Sequence, residues 1–330
     1  MAIQGENAAN AGDILKHPLI CDVLQKCIGA EWKNITYAET HSGAGIYSSD
    51  DQKEKKQEHI KNLYNKYCQL FSHLPNHSLP DDPYFNTLKS FWGTPPSSIP
   101  ETVCYAGSAY LAASILKKKY GENFDIRLTE CDPEACNQLK NSLNGLLPTI
   151  NLDNYIRQAG FQDQIDWLTA NDNLVLIVDP FKLSFHSKGV NKGDIDLYHL
   201  LRLTERLKDK NAVTGFWYST DQDPIKNKMK LSSFFDKTII ENYEELNCRK
   251  YSFGNFYFIF IGFGAGKGIV KDLPSQSELQ NRWFQLEIKE RLFPKRMKKL
   301  LRSIKDLTEL NDIHKATLQN IIDQIDNLEI

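Results

Sequence analysis

Three short stretches of this sequence hold side chains that could bind a nucleoside and orient an amine. The first is His41-Ser42-Gly43-Ala44-Gly45, a glycine-bearing turn directly behind Asn34-Ile35-Thr36-Tyr37-Ala38-Glu39. Glycine admits positive φ and lets a ligand approach the backbone closely. The second is Glu130, at the end of the strand-like residues 124–129. An acid at the tip of the second strand of an open α/β sheet can accept both hydroxyls of a ribose. The third is Asp179-Pro180-Phe181-Lys182, behind the apolar run Leu174-Val175-Leu176-Ile177-Val178. A buried strand ending in an acid and a proline puts a carboxylate and backbone carbonyls at the sheet edge where such folds bind ligands, which suits a substrate amine. Each stretch also has a plainer reading. A glycine turn is more often only a tight corner, and Asp-Pro can simply end a strand.

The three stretches can meet only if neighbouring parallel strands carry them. Besides residues 34–39, 124–129 and 174–178, strand signals recur at 155–159, 212–218, 237–241 and 257–262, with helical signals between them. That alternation predicts an α/β, Rossmann-like fold with a mostly parallel, doubly wound, seven-stranded sheet. Ahead of the first strand, Ile14, Leu15, Leu19, Val23, Leu24 and Cys27 fall near helical spacing and predict an opening helix over 13–27, interrupted near Pro18. Residues 48–101 turn charged and helical, then rich in proline and serine, and predict an inserted helical subdomain. Residues 1–47 and 102–270 then form the main domain, in which Gly107-Ser108 opens a helix through Leu111, Ala112, Ile115 and Leu116. Residues 271–330 lack a strand signal and read as a helical C-terminal appendage. Within it, 282–305 holds nine basic residues against two acidic ones, and the chain beyond turns acidic.

Composition narrows the function classes. The 330 residues are 41% hydrophobic and 25% charged, ordinary for a globular protein with a full core. No apolar run approaches the ~20 residues of a membrane span, since the longest, 173–178 and 256–263, are strand-length. The start, Met1-Ala2-Ile3-Gln4-Gly5-Glu6, lacks the basic and apolar segments of a secretory signal. Seven cysteines (Cys21, Cys27, Cys68, Cys104, Cys131, Cys136, Cys248) are scattered with no C-x-x-C pair. A cytoplasmic protein with reduced thiols and no metal site is expected. A net charge of -2 provides no global attraction to nucleic acid, so contact with RNA or DNA needs a local patch such as 282–305. A charged run is more often a solvated face. Gly262-Phe263-Gly264-Ala265-Gly266-Lys267-Gly268 lacks phosphate-loop spacing, follows the last strand, and reads as a flexible exit from the sheet.

Taken in order, Ala11-Gly12-Asp13-Ile14-Leu15-Lys16-His17, then Tyr37-Ala38-Glu39-Thr40-His41-Ser42-Gly43-Ala44-Gly45-Ile46-Tyr47, Gly107-Ser108, Leu128-Thr129-Glu130, Gly160-Phe161-Gln162, Asp179-Pro180 and Phe216-Trp217-Tyr218 resemble the RlmJ family of bacterial 23S rRNA adenine-N6 methyltransferases over about residues 7–265. The resemblance implies a class I S-adenosylmethionine-dependent methyltransferase fold, S-adenosylmethionine as cofactor, and nucleic acid as partner, RNA ahead of DNA. It implies that Lys16, His17, His41, Gly43, Gly45, Ser108, Glu130 and Gly160 line the cofactor site. Asp179 and Pro180 would be catalytic, holding the amine, while Phe181 and Lys182 would meet the substrate. The plainer readings stay open beside these: histidines that cap or pack, Ser108 as a helix cap, Glu130 as a solvated strand end.

The chain also departs from the family's pattern. Asp179-Pro180-Phe181-Lys182 stands where the family has Asp-Pro-Pro-Tyr, Ala159 replaces an acid, and residues 1–10 contain no aromatic where the family start is rich in tyrosine and histidine. Stacking a base on an aromatic contributes ~1–3 kcal/mol, so the altered motif weakens the expectation of adenine as acceptor. Three functions remain as expectations. One is a methyltransferase acting on an amino group of nucleic acid. Another is an inactive methyltransferase-like binding or scaffold subunit, with residues 271–330 docking a protein. The third is a methyltransferase of some other substrate.

Overall fold

The computed structural model describes residues 9, 11–51, 59–73, 82–94, 100–180, 182–184, 194–219, 247–253 and 256–279. Two compact units divide the chain, Met1–Leu273 and Pro274–Ile330; the second contributes only residues 274–279 to the described set, so the architecture is that of the first. The basic stretch 282–305, the acidic segment after it and the strand expected at 237–241 lie outside the described residues.

In chain order the elements are α1 (Ala11–Gly29), β1 (Thr36–Glu39), β2 (Ile46–Ser48), α2 (His59–His73), α3 (Pro83–Trp92), β3 (Cys104–Ala106), α4 (Ser108–Tyr120), β4 (Asp125–Thr129), α5 (Pro133–Leu146), β5 (Ile156–Arg157), α6 (Ile165–Leu168), β6 (Leu174–Val178), β7 (Lys182–Ser184), β8 (Asp194–Asp196), α7 (Leu197–Leu207), β9 (Ala212–Ser219), β10 (Asn247–Phe253), β11 (Phe256–Phe263) and α8 (Gly266–Lys271). Seven strands form one sheet in the order β10-β11-β9-β6-β1-β4-β5. β1 lies parallel between β4 and β6, β5 joins β4 and β9 joins β6 in the same sense, and β11 runs antiparallel to both β9 and β10. A single reversed strand slotted inside a parallel sheet in this order is the class I methyltransferase arrangement. Strand order switches direction between β1 and β6, the place where open α/β sheets take ligands.

The aliphatic run of β6 is buried at all five positions, as a central parallel strand should be. On one face Leu200, Leu203 and Leu207, a single stripe of α7, pack on Leu174, Leu176, Val178, Phe216, Ile259 and Ile261. Each such leucine contributes roughly 1.5–3 kcal/mol of burial. Elsewhere α1 packs against α4, α3 and α8. The helix α1 runs unbroken through Pro18, contrary to the interruption expected there. A proline inside a helix costs about 3 kcal/mol, and the fully buried Leu15, Leu19, Ile20, Val23 and Leu24 on either side of it offset that cost.

Two other expectations change. Strand β5 is only two residues long, shorter than 155–159. The glycine-rich exit from β11 is a packed corner leading into α8. A Cβ on Gly266 would come within 2.0 Å of the Ala212 carbonyl oxygen, and one on Gly264 within 2.6 Å of the Lys210 carbonyl oxygen. Close backbone packing, rather than flexibility, requires glycine there. The edge strand β10 had no signal in the sequence. Between β2 and β3, which pair antiparallel from Ile46↔Ala106 to Ser48↔Cys104, the chain holds α2 and α3. Asp82 starts α3 by accepting the Tyr84 and Phe85 N–H groups.

Candidate functional site

The strands β1, β4 and β6 end level with one another, Glu39 standing in register with Leu128 on one side and Ile177 on the other. Backbone bonds from the Thr40 N–H to the Ile177 carbonyl and from the Ser42 N–H to the Thr129 carbonyl keep the departing chain in line. Two residues past Glu39, the same register would set His41 between Glu130 and Asp179. The sequence alone suggested that these stretches share an edge; the sheet brings them to it.

The glycine turn and Glu130 are joined directly. Gly43, at φ 61°, donates its N–H to Glu130 Oε2 at 2.9 Å, and the Asp132 N–H donates to Oε1 at 2.9 Å. Two backbone donors thus fix a buried carboxylate against the turn. Ser42 Oγ, in the same turn, is buried and meets no hydrogen-bond partner among the described residues. Gly45, at φ 76°, faces the other way. Its carbonyl accepts the Gly107 N–H at 2.7 Å, and a Cβ there would lie 2.9 Å from Leu139 of α5. His41 Nδ1 lies 2.7 Å from Thr40 Oγ1, and the ring meets Phe161, directly behind Gly160, at 5.5 Å between centroids.

A second group of charges joins α1 to the end of β6. The buried Lys16 Nζ donates to Asp179 Oδ2 at 2.5 Å and pairs with Asp13 at 3.2 Å, one helical turn earlier. Burial alone would lower this ammonium, but the charges of Asp179 and Asp13 outweigh it and leave Lys16 well above its usual value. Next to it His17 is held well below the ordinary histidine range, first by burial and then by the Lys16 charge. This imidazole is therefore neutral near pH 7, with Nδ1 2.5 Å from the Tyr105 hydroxyl and the two rings stacked. Pro180 is buried and Asp179 half-buried. Phe181 lies outside the described residues, and Lys182 opens β7 with its side chain likewise outside them.

Sequence reasoning left Glu39, Tyr37, Asp13 and Tyr105 out of the site. Glu39 looked like one more strand residue; its only signal was a charge at the last position of an otherwise buried strand. Its Oε1 accepts the Tyr37 hydroxyl at 2.5 Å, and Ser108, the first residue of α4, faces the same carboxyl. Burial pushes Glu39 up from 4.5 to about 7, against the Ser108 and Tyr37 hydroxyls and the Lys16 charge, which hold it down. A carboxyl raised in the folded chain binds its proton more tightly there than in the unfolded chain. Its contribution to stability is therefore full below pH 4.5 and lost as pH rises through about 7. The shift from 4.5 to about 7 corresponds to roughly 3 kcal/mol at most. Glu39→Gln is expected to flatten stability against pH over that window and to raise the urea midpoint above wild type near its alkaline end. An unchanged profile would show that Glu39 does not titrate there.

No family model and no curated protein matches the chain. Among solved structures, protein LPL1258 from Legionella pneumophila str. Philadelphia 1, described as a DUF519 protein, superposes with a TM-score of 0.51 at 19% identity over 87% of this chain and 94% of that one. The two share a fold. The type I restriction-modification methyltransferase subunit from Streptococcus thermophilus has a TM-score of 0.40 at 12% identity, over 78% of this chain and 47% of that one. The catalytic domain of hMettl16 in complex with MAT2A 3'UTR hairpin 1 has a TM-score of 0.34 at 10% identity, over 78% and 72%. Among the described residues no group of His, Cys, Asp and Glu could hold a metal ion, and no helix is long and apolar enough to cross a membrane.

Proposed function

We propose that this chain is an S-adenosylmethionine-dependent methyltransferase acting on an amino group of nucleic acid, RNA ahead of DNA. The observation that supports it best is that two charged systems share the carboxyl edge beside the strand-order switch: Glu130 bonded to the glycine turn, and Lys16 bonded to Asp179. The donor set fits the cofactor. Glu130 is an anion aimed at a turn that also holds a buried hydroxyl without a partner, Ser42 Oγ, which suits ribose hydroxyls. On this reading Lys16 with Ser108 suits the methionyl carboxylate, with His17 next to Lys16, while His41 and Gly160, which flank the Phe161 ring contact, would face the nucleoside. When bound, the cofactor supplies a methyl group on a sulfonium, open to in-line attack by an amine.

The chain's own part is positioning. Asp179 keeps 24% of its side chain exposed while Oδ2 is taken by Lys16, so the carboxylate can still accept an N–H from the acceptor amine, and the Pro180 carbonyl offers a second acceptor. Bonded to Lys16, Asp179 would orient the amine. Phe181 and Lys182 would contact the acceptor. A base inside a duplex would first have to flip out.

The same ion pair favours a second reading. An acid already engaged by Lys16, in a motif lacking a second proline and a tyrosine, also suits a non-catalytic subunit that binds the cofactor and docks a protein through residues 271–330. Incubation with cofactor labelled in its methyl group, and with total RNA, DNA or lysate, separates the readings. Label in RNA or DNA supports the proposal. Cofactor binding without label transfer supports the second reading, and label in protein or small molecules would move the substrate to another class.

A further inference from the structure

Among the described residues, Tyr198 is the one large hydrophobic side chain left in solvent, 66% exposed. A lone exposed aromatic is ordinary on a protein surface, but the position of this one is not. It is the second residue of α7, the helix that crosses from the carboxyl end of β6 back to the start of β9, so its first turn stands at the same edge of the sheet as Asp179 and Pro180. Two short strands tie it there. The strand β7 begins just behind the Asp179-Pro180 corner and pairs in parallel with β8, setting Ser184 against Asp196, which immediately precedes α7.

Ring contacts link Tyr198 to the rest of the site. Its ring meets His199 edge to face at 5.7 Å, His199 meets Phe161 at 5.6 Å, and Phe161 meets His41 at 5.5 Å. A file of four rings therefore leads from the glycine turn behind β1 out to a phenol that remains mostly in water. An exposed tyrosine held by its neighbour offers a flat apolar surface while losing little conformational freedom on binding. Unpaired bases stack on such a surface whatever their identity, because every base has a π-face.

We infer that Tyr198 is the platform on which an unpaired base of single-stranded nucleic acid stacks, at the rim of the edge where Asp179 and Pro180 sit. The inference rests on the nucleic-acid reading proposed above and gives that reading a specific contact.

The test uses the full chain with short single-stranded RNA and DNA oligonucleotides of one sequence, each carrying 2-aminopurine, whose fluorescence falls on stacking. Wild type is expected to quench the signal. Tyr198→Ala is expected to bind about tenfold or more weakly and to lose the quenching, while Tyr198→Phe keeps both. S-adenosylhomocysteine affinity and the urea midpoint should be the same in all three, since an exposed surface position contributes little to folding. The RNA and DNA arms show which polymer the ring prefers. Equal binding and quenching by wild type and Tyr198→Ala would overturn the inference and leave the nucleic-acid reading standing. Failure of wild type to bind either oligonucleotide, with or without S-adenosylhomocysteine, would overturn that reading and this inference with it.

Discussion

Asp179→Asn is expected to lower the rate of methyl transfer by about a hundredfold or more while changing S-adenosylhomocysteine affinity by less than threefold. The substitution nearly preserves shape, and Lys16 keeps a carboxylate partner in Asp13 at 3.2 Å, so the buried ammonium is not left alone. What goes is the negative charge that would align the acceptor amine. Misplacing a reacting group by about 1 Å can cost about a hundredfold in rate. On the proposed function the loss therefore falls on kcat with KM for the cofactor nearly unchanged. A variant that transfers label as fast as wild type would remove Asp179 from the chemistry, and a parallel collapse of cofactor affinity would reassign it to the cofactor.

Lys16→Met is expected to destabilise the folded chain by roughly 3–5 kcal/mol, the usual cost of removing one member of a buried ion pair. Lys16 is 6% exposed and lies between Asp179 and Asp13, with Glu39 also close enough to act on it. Without the ammonium, carboxylates gathered at one edge face each other in a medium that screens them poorly. Protonation relieves that repulsion, so the loss should shrink as pH falls and be greatest under mildly alkaline conditions. The double variant Lys16→Met/Asp179→Asn should recover part of the stability, because it removes a stranded charge along with its partner. Urea unfolding of the two single variants and the double variant measures the coupling. Additive effects would mean that the pair contributes nothing as a pair.

How much of this was legible in the sequence depended on how local the signal was. The five aliphatics of β6 announced a buried strand, and the glycine turn and Glu130 follow two neighbouring parallel strands, as the strand alternation led one to expect. Pro18 misled because helix propensity is local, whereas the burial of Leu15 to Leu24 is tertiary. Strand β10 escaped notice because an edge strand carrying Arg249 and Lys250 has no apolar run; its partner β11, rich in phenylalanine and isoleucine, supplies the driving force. Glycines 264 and 266 read as flexible because close backbone approach leaves no mark in composition.

Within the site the same limit applies. Lys16 and Asp179 stand 163 residues apart, and only the packing of α1 against the end of β6 makes them partners. Asp13 and Lys16, three apart on one helix, could have been paired from spacing alone. Glu39 was hidden by its place at the end of a strand. The ring file from His41 through Phe161 to His199 and its neighbour Tyr198 joins three segments that no periodicity connects.

Calorimetric titration of the full chain with S-adenosylhomocysteine, for wild type and Glu130→Ala, bears most directly on whether this edge is a nucleoside site. A hydrogen bond to a charged group contributes about 1.5–3 kcal/mol, so removing the carboxylate that would hold the ribose should weaken a single-site binding curve by tenfold to a hundredfold or more. Circular dichroism on the same samples reports whether the variant is folded. No heat from wild type at millimolar ligand, or an affinity in folded Glu130→Ala equal to that of wild type, would contradict the site.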